Sequence, residues 1–283
     1  MKIISGKEIS ENILDEIRKD ITAQELNPGL AVILVGNDEA SHIYVNLKEK
    51  AAKEVGINFF KFLFNEDTDE ELILKKIEEL NGDDEVHGII VQLPLPGNLD
   101  TQKIINSIDP EKDVDGFHPE NIKAFFEDKN EIVPVFPSAI MKMVNFAFGD
   151  AGGNSKEAIV VVNSDRFGDA MTCALSRSGF NSKYIFCDDV LSEKPDGELI
   201  NFLRRADVVV TACGSLDLID RNMIKDGAVV IDGGVIKENK QVFGDVDYDS
   251  FLDSDCQVSP VPGGVGPVTV ACLLENVYLM SLK

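Results

Sequence analysis

Long apolar runs are missing from this 283-residue chain. None approaches the roughly 18 to 20 residues needed to cross a bilayer, so no membrane-spanning helix is expected. The opening MKIISGKEIS has no apolar h-region, so a secretory signal is not expected either. Cysteine is sparse: Cys173, Cys187, Cys213, Cys256 and Cys272 are dispersed and form no C-x-x-C pair. An odd, scattered set argues against a disulfide framework or a zinc site, and for reduced thiols in a cytoplasm. His42, His87 and His118 lie too far apart to suggest a His-rich metal site. Positive charge is short as well, with 27 Lys and Arg against 50 Asp and Glu and a net charge of −23. Nucleic acid and anionic membrane require clustered cations, so neither is expected as a partner. Any anion this chain binds has to be held by local groups, because the long-range field opposes it.

Repeats and low-complexity tracts are also absent. What is present is 44% hydrophobic residues, enough for ordinary cores, arranged as β-rich runs alternating with helical patterns. Ile9, Ile13 and Ile17 share one face of a helix predicted from Gly6 to Ala23. A strand from Leu30 to Val35 leads to a helix from Ser41 to Val55, ended by Gly56. A strand from Ile57 to Phe64, an acidic helix from Asp67 to Leu80 and a strand from Val86 to Gln92 follow. The prolines of Leu93-Pro94-Leu95-Pro96-Gly97 stop that last strand. The alternation predicts parallel strands with helices packed on them. A second α/β unit is expected after Pro134 to Pro137. It has a helix from Ser138 to Phe148, a glycine-rich break at Gly149 to Gly153, and then strands near 158–162, 183–187, 208–212 and 228–232. Helices are expected at Gly168 to Ser178 and Gly197 to Arg204, with a short one near Arg221 to Lys225. This second unit reads as a Rossmann-like half. An apolar helix from Thr269 to Ser281 closes the chain. The fold class is therefore α/β with two domains.

Four segments hold residues able to do chemistry. Tyr44 and Lys48 are four apart and share a helix face, although a lone helical lysine is ordinarily a solvated charge. Gln92 sits at the carboxyl end of a strand, where open α/β sheets bind ligands; it is equally the last residue before a rigid turn. Asp113 and Asp115, in Lys112-Asp113-Val114-Asp115-Gly116-Phe117-His118-Pro119, either cap a turn or present a carboxylate to paired N–H donors. Pro260-Val261-Pro262-Gly263-Gly264-Val265-Gly266-Pro267 is stiff yet lets a backbone approach something closely. It is not a P-loop, because no Gly-Lys-Ser/Thr follows.

Taken together, Tyr44-x-x-x-Lys48, Val91-Gln92-Leu93-Pro94-Leu95-Pro96, Asp113-Val114-Asp115-Gly116-Phe117-His118-Pro119, Gly244-Asp245-Val246 and Pro260 to Pro267 closely resemble the methylenetetrahydrofolate dehydrogenase/cyclohydrolase family, FolD. The resemblance covers nearly the whole chain. It implies an enzyme that oxidises 5,10-methylene-tetrahydrofolate to 5,10-methenyl-tetrahydrofolate with a nicotinamide cofactor, then hydrolyses the product to 10-formyl-tetrahydrofolate. It implies Lys48 as the catalytic lysine, Tyr44 as the aromatic packed on the folate, Gln92 as the group that positions and tunes the lysine, and Asp115 as the carboxylate on the pterin's amino edge. Leu93, Pro262, Gly263 and Gly264 would line the folate pocket. A homodimer is implied too, with residues 1–136 and 264–283 as the folate domain and 137–263 as the dinucleotide domain.

The departures from the family pattern fall on the dinucleotide side. A family Pro-Cys-Thr-Pro segment reads Pro134-Val135-Phe136-Pro137. Gly-x-Ser-x-x-x-Gly-x-Pro reads Val162-Asn163-Ser164-Asp165-Arg166-Phe167-Gly168-Asp169-Ala170, and Val-Ile-Asp-Val-Gly reads Val230-Ile231-Asp232-Gly233-Gly234. Cofactor contacts are expected from Asn163, Ser164, Asp165, Arg166, Gly168, Asp188, Gly214 and Gly234, and no metal is expected. Asp188 lies 20 residues after Gly168, the spacing of an acid that holds an unphosphorylated ribose. With Asp189 it favours NAD over NADP. Val162 and Phe136 leave open that no dinucleotide binds and that the protein is a cyclohydrolase alone. A non-catalytic folate-binding protein is the remaining alternative, against which Lys48 weighs, since a binder does not need it.

Overall fold

The computed structural model describes residues 1–129, 132–149, 155–192, 197–238 and 241–283; residues 150–153 of the glycine-rich break lie outside it. In chain order the elements are β1 (Lys2–Ile3), α1 (Gly6–Gln24), β2 (Gly29–Val35), α2 (Glu39–Val55), β3 (Asn58–Phe64), α3 (Glu70–Asn81), β4 (Gly88–Val91), α4 (Thr101–Ile105), α5 (Pro119–Phe126), α6 (Val135–Phe148), β5 (Glu157–Val162), α7 (Asp165–Arg177), β6 (Asn181–Phe186), α8 (Cys187–Ser192), α9 (Glu198–Leu203), β7 (Val208–Ala212), β8 (Val229–Asp232), β9 (Ile236–Glu238), β10 (Gln241–Phe243), β11 (Gln257–Val258) and α10 (Val265–Met280). Two compact units result. The first is Glu11–Val135 with Val270–Lys283, and the second is Met1–Ser10 with Phe136–Thr269.

In the first unit a parallel sheet runs β3-β2-β4. All seven residues of β2 are buried, as expected of a central parallel strand covered on both faces. Ala31, Ile33 and Val35 pack with Ile73, Ile77 and Leu80 of α3 and with Ile89 and Val91 of β4. Helix α2 is bounded by chemistry at both ends. The Asp38 carboxylate accepts the Ser41 N–H at 2.7 Å, satisfying one orphan donor of the first turn. Gly56 stops the helix with φ +89, a left-handed conformation that costs glycine little. Those two ends fix where Tyr44 and Lys48 fall on the helix.

The second unit holds a six-stranded parallel sheet, β1-β11-β8-β7-β5-β6, and an antiparallel pair, β9 and β10. From β5 the chain steps outward to β6 on one side and then returns to β7 on the other. The strand order therefore reverses between β5 and β7, and in open α/β sheets ligands bind beyond the carboxyl ends of strands at such a point.

Several boundaries differ from the sequence expectation. Met1–Ser10 belongs to the second unit because β1 pairs with β11, Lys2 opposite Gln257 and Ile3 opposite Val258. Helix α6 starts at Val135, not Ser138, because Pro137 falls in its first turn, where a missing N–H leaves nothing unpaired. Pro267 is accommodated in the same way in α10, which starts at Val265 rather than Thr269. Helix α7 begins at Asp165, so Gly168 lies inside it and not in a loop. The short α4, α5 and α8 and the strands β1, β9, β10 and β11 carried no periodicity long enough to read.

Candidate active site

Within the first unit, Lys48 Nζ donates to Gln92 Oε1 at 3.1 Å. The Gln92 backbone N–H is held by the Ile33 carbonyl at 2.8 Å, and its Nε2 donates to the Leu93 carbonyl at 2.8 Å. Its amide is thereby oriented with the carbonyl toward the lysine. Burial pushes the Lys48 ammonium below its usual range, and the nearby charge of Asp115 partly offsets this. Asp115 is pushed up by burial and pulled back by Lys48. Tyr44, one turn before Lys48, is half-buried, and burial raises its phenol, which therefore stays protonated at neutral pH.

The loop carrying Asp115 is fastened at several points. It runs beside β4, with the Ile89 N–H donating to the Lys112 carbonyl at 2.7 Å. The buried Asp113 carboxylate accepts from the His118 N–H at 2.7 Å and from Asn121 Nδ2 at 3.0 Å. Gly116 turns the chain with φ +75, where a Cβ would lie 2.9 Å from Pro134 Cα. The Val135 N–H closes on the Asp115 carbonyl at 3.2 Å. From α10, the buried Asn276 donates to the Val114 carbonyl at 2.9 Å. Asp113 thus serves the loop and leaves Asp115 to face Lys48. Asn121 and Asn276 were not foreseen, although a buried amide in a largely apolar closing helix was a legible signal.

Pro262, Gly263 and Gly264 fall in the second unit. Gly263 takes φ +103, and a Cβ on Gly6 would lie 1.7 Å from the Gly264 carbonyl oxygen, so this loop lies flush against the start of α1. Leu93 is 36% exposed.

At the switch point of the second unit lies an open cleft of about 490 Å³, walled by Asn163, Phe186, Cys187, Asp188, Asp189, Leu191, Cys213, Gly214 and Ser215. Of the expected cofactor residues, Asn163, Asp188 and Gly214 meet here, while Ser164, Asp165, Arg166, Gly168 and Gly234 are not among its walls. Ser164 is the N-cap of α7, and Asp165 accepts from the Tyr184 hydroxyl at 2.9 Å. Gly168 lies inside the helix, at a position where a Cβ would stand 2.6 Å from the Tyr184 ring. It allows close helix–strand packing, as the third glycine of a dinucleotide fingerprint does. Asp188 and Asp189 are exposed in the first turn of α8.

The departures on this side fit one another. Val162 is fully buried, so its side chain adds no bulk to the cleft. The Phe136 ring packs on Phe167 with centroids 5.1 Å apart. A Cβ on Gly233 would stand 2.9 Å from Phe136 Cζ. The Phe136 ring therefore occupies the room that a side chain at position 233 would need. Among the described residues, no group of three His, Cys, Asp or Glu side chains is placed to hold a metal ion, and no helix is long and apolar enough to cross a membrane.

The family model described as tetrahydrofolate dehydrogenase/cyclohydrolase, catalytic domain, matches residues 4–115. The one described as tetrahydrofolate dehydrogenase/cyclohydrolase, NAD(P)-binding domain, matches residues 134–283. The Bifunctional protein FolD of Geobacillus kaustophilus (strain HTA426) is 43% identical over 279 residues, 97% of this chain and 95% of that protein. The crystal structure of the bifunctional enzyme FolD from Campylobacter jejuni matches with a TM-score of 0.89 at 34% identity, covering 100% of this chain and 99% of that one. The methylenetetrahydrofolate dehydrogenase-cyclohydrolase of Trypanosoma brucei, complexed with NADP cofactor and inhibitor, matches with a TM-score of 0.90 at 29% identity over 99% and 97% of the two chains. With both family models matched across nearly its whole length, the chain belongs to the tetrahydrofolate dehydrogenase/cyclohydrolase family.

Proposed function

We propose that the protein oxidises 5,10-methylene-tetrahydrofolate to 5,10-methenyl-tetrahydrofolate with a nicotinamide dinucleotide, and hydrolyses the methenyl bridge to 10-formyl-tetrahydrofolate. The observation that carries this reading is the Lys48–Gln92 hydrogen bond at 3.1 Å around an ammonium that burial drives toward neutrality. Hydrolysis requires water to attack a cationic, amidinium-like carbon, a base to take the water's proton, and a donor for the nitrogen whose bond to that carbon breaks. A substrate cation beside Lys48 pushes the amine further toward neutrality, adding like charge to desolvation. Neutral Nζ then takes the proton from water and, once charged, returns it to the departing nitrogen. Gln92 Oε1 accepts from Nζ in both states and so keeps it in place. The Asp115 carboxylate suits two parallel N–H donors of a pterin, a charge-assisted arrangement.

On the second unit, Asn163, Asp188, Asp189 and the Cys213–Ser215 loop are the residues that would hold the dinucleotide, which when bound supplies the hydride acceptor for the oxidation. Among the described residues, the cleft walls include two carboxylates and no Lys or Arg. Carboxylates accept from ribose hydroxyls and repel a ribose phosphate, so NAD is preferred to NADP. The five cysteines are free, in keeping with a cytoplasmic protein. Strand β3, NFFKFLF, lies at a sheet edge with Leu63 61% exposed. An apolar edge of this kind is a template for strand pairing, which supports a homodimer formed with a second copy across it.

Lys48→Met keeps the side chain's length and removes the base. Turnover of methenyl-tetrahydrofolate, followed by absorbance, is expected to fall by about 10²-fold or more, the low end for acid–base catalysis. Near-normal turnover in a folded variant would place the base elsewhere. In binding titrations, NAD is expected to bind more tightly than NADP. The reverse order would refute the role given to Asp188 and Asp189, and binding of neither would leave a cyclohydrolase alone. Light scattering is expected to report twice the 31.0 kDa chain mass; a monomer at micromolar concentration would contradict the β3 pairing.

A further inference from the structure

Two carboxylates of the second unit have no part in the reading above. Asp232 ends β8 and is 3% exposed, and Asp245 follows β10 and is 0% exposed. Buried carboxylates are tolerated only where donors surround them. Asp245 gives both oxygens to one loop: Oδ2 accepts the Cys213 N–H and Oδ1 accepts the Ser215 N–H, each at 2.8 Å. Those amides bracket Gly214, which takes φ +71, and Cys213, Gly214 and Ser215 form one wall of the cleft. The same loop is tied across to the other wall, where Asn163 Nδ2 donates to the Cys213 carbonyl at 3.1 Å.

Asp245 is in turn seated by Asp232. Asp232 Oδ1 accepts the N–H groups of Asp245 and Gly234 at 3.0 Å each, and Oδ2 accepts the Val246 N–H at 3.0 Å. Thr211 Oγ1 adds a longer contact to Oδ1 at 3.3 Å. The space is cut to fit the two carboxylates. A Cβ on Gly244 would lie 1.9 Å from Asp232 Oδ2, and one on Gly234 would lie 2.1 Å from Asp245 Oδ1. This accounts for the glycines of Gly244-Asp245-Val246 and at position 234: Gly244 makes room for Asp232, and Gly234 makes room for Asp245. Burial pushes the Asp232 carboxyl up to about 6, and the charge of Asp245 adds to the effect. Two carboxylates kept together at that cost are held by the amides they organise.

We propose that Asp245 is the positioning residue of the dinucleotide cleft, with Asp232 as its seat: together they turn the amides of Cys213 and Ser215 inward and so fix the wall against which a nicotinamide dinucleotide lies. This deepens the function proposed above and rests on that reading of the cleft. A carboxylate is required because both of its oxygens accept. An asparagine of the same shape accepts through one and sets a donor against the other amide.

The test compares the unaltered protein, Asp245→Asn and Thr211→Val by fluorescence titration with NAD and NADP, alongside thermal melting and steady-state oxidation of methylene-tetrahydrofolate. For Asp245→Asn the affinity is expected to fall by about tenfold or more, the size of one lost hydrogen bond to a charged group. The loss should fall on KM for the dinucleotide more than on kcat. Thr211→Val removes a single bond to Asp232 within nearly the same volume, and a loss in the same sense of roughly two- to fivefold is expected. Asp245→Asn binding within twofold of the unaltered protein would overturn the proposal. So would unchanged affinity in Thr211→Val, should Asp245→Asn not fold. No binding by the unaltered protein would overturn the cleft's assignment and the proposal with it, whereas equal binding by all three would overturn the proposal alone.

Discussion

A primary amine in the first unit is pushed below its usual pKa range by burial and is held 3.1 Å from a glutamine carbonyl. Much of the unit's construction serves that contact. Asp38 and Gly56 fix the ends of α2 and hence the turn from which Lys48 projects. The fully buried β2 aligns β4, so that Gln92 arrives at the sheet's carboxyl edge with its backbone already bonded to Ile33. The Leu93 carbonyl then settles which end of the Gln92 amide faces the lysine. Asp115 brings the one opposing charge, on a loop held by Asp113, Gly116 and Asn276. Desolvation and the carboxylate act on Lys48 in opposite directions, and desolvation is the larger.

The second unit solves a different problem with the same materials. Its cleft is walled by helix α8 after β6 and by the loops that follow β5 and β7, and loops at strand ends need something to hold them still. Buried carboxylates do so here by accepting backbone N–H groups, which leaves the exposed Asp188 and Asp189 as the charges at the surface of the cleft. The sequence changes on this side are also mutually accommodated. The Phe136 ring takes the room that a side chain at Gly233 would need, and Val162 turns wholly into the core.

Much of this was legible in the residues, and what was not has physical reasons. Long elements with a single period, such as α1 with Ile9, Ile13 and Ile17 on one face, declare themselves, and all three isoleucines are buried. Short elements such as α8 and β11 are made by their tertiary partners and leave little pattern. Prolines misled at both helix starts, because Pro137 and Pro267 read as breaks although a first turn tolerates them. The candidate catalytic set rests on local motifs and was therefore readable, while one of its supports, Asn276, reaches the Asp115 loop from 162 residues along the chain. On the cofactor side, α7 begins at Asp165, earlier than its glycine suggested, so Ser164 caps the helix and Asp165 and Arg166 fall in its first turn. Asp245 was visible as part of a motif, but its task depends on amides 30 residues or more away.

The central claim is that Lys48 works as a neutral amine under the opposed influence of burial and Asp115. Its most direct test is the pH dependence of kcat for methenyl-tetrahydrofolate hydrolysis at saturating substrate, in the unaltered protein and in Asp115→Asn. If the neutral amine is the base, the rate rises with pH through the Lys48 pKa and then levels. The acid limb is therefore predicted to lie below the ordinary lysine value of 10.5. Asp115 raises that pKa, so removing its charge is predicted to move the limb to lower pH. A limb centred at or above 10.5 in the unaltered protein, or one that stays put or moves upward in Asp115→Asn, would contradict the account.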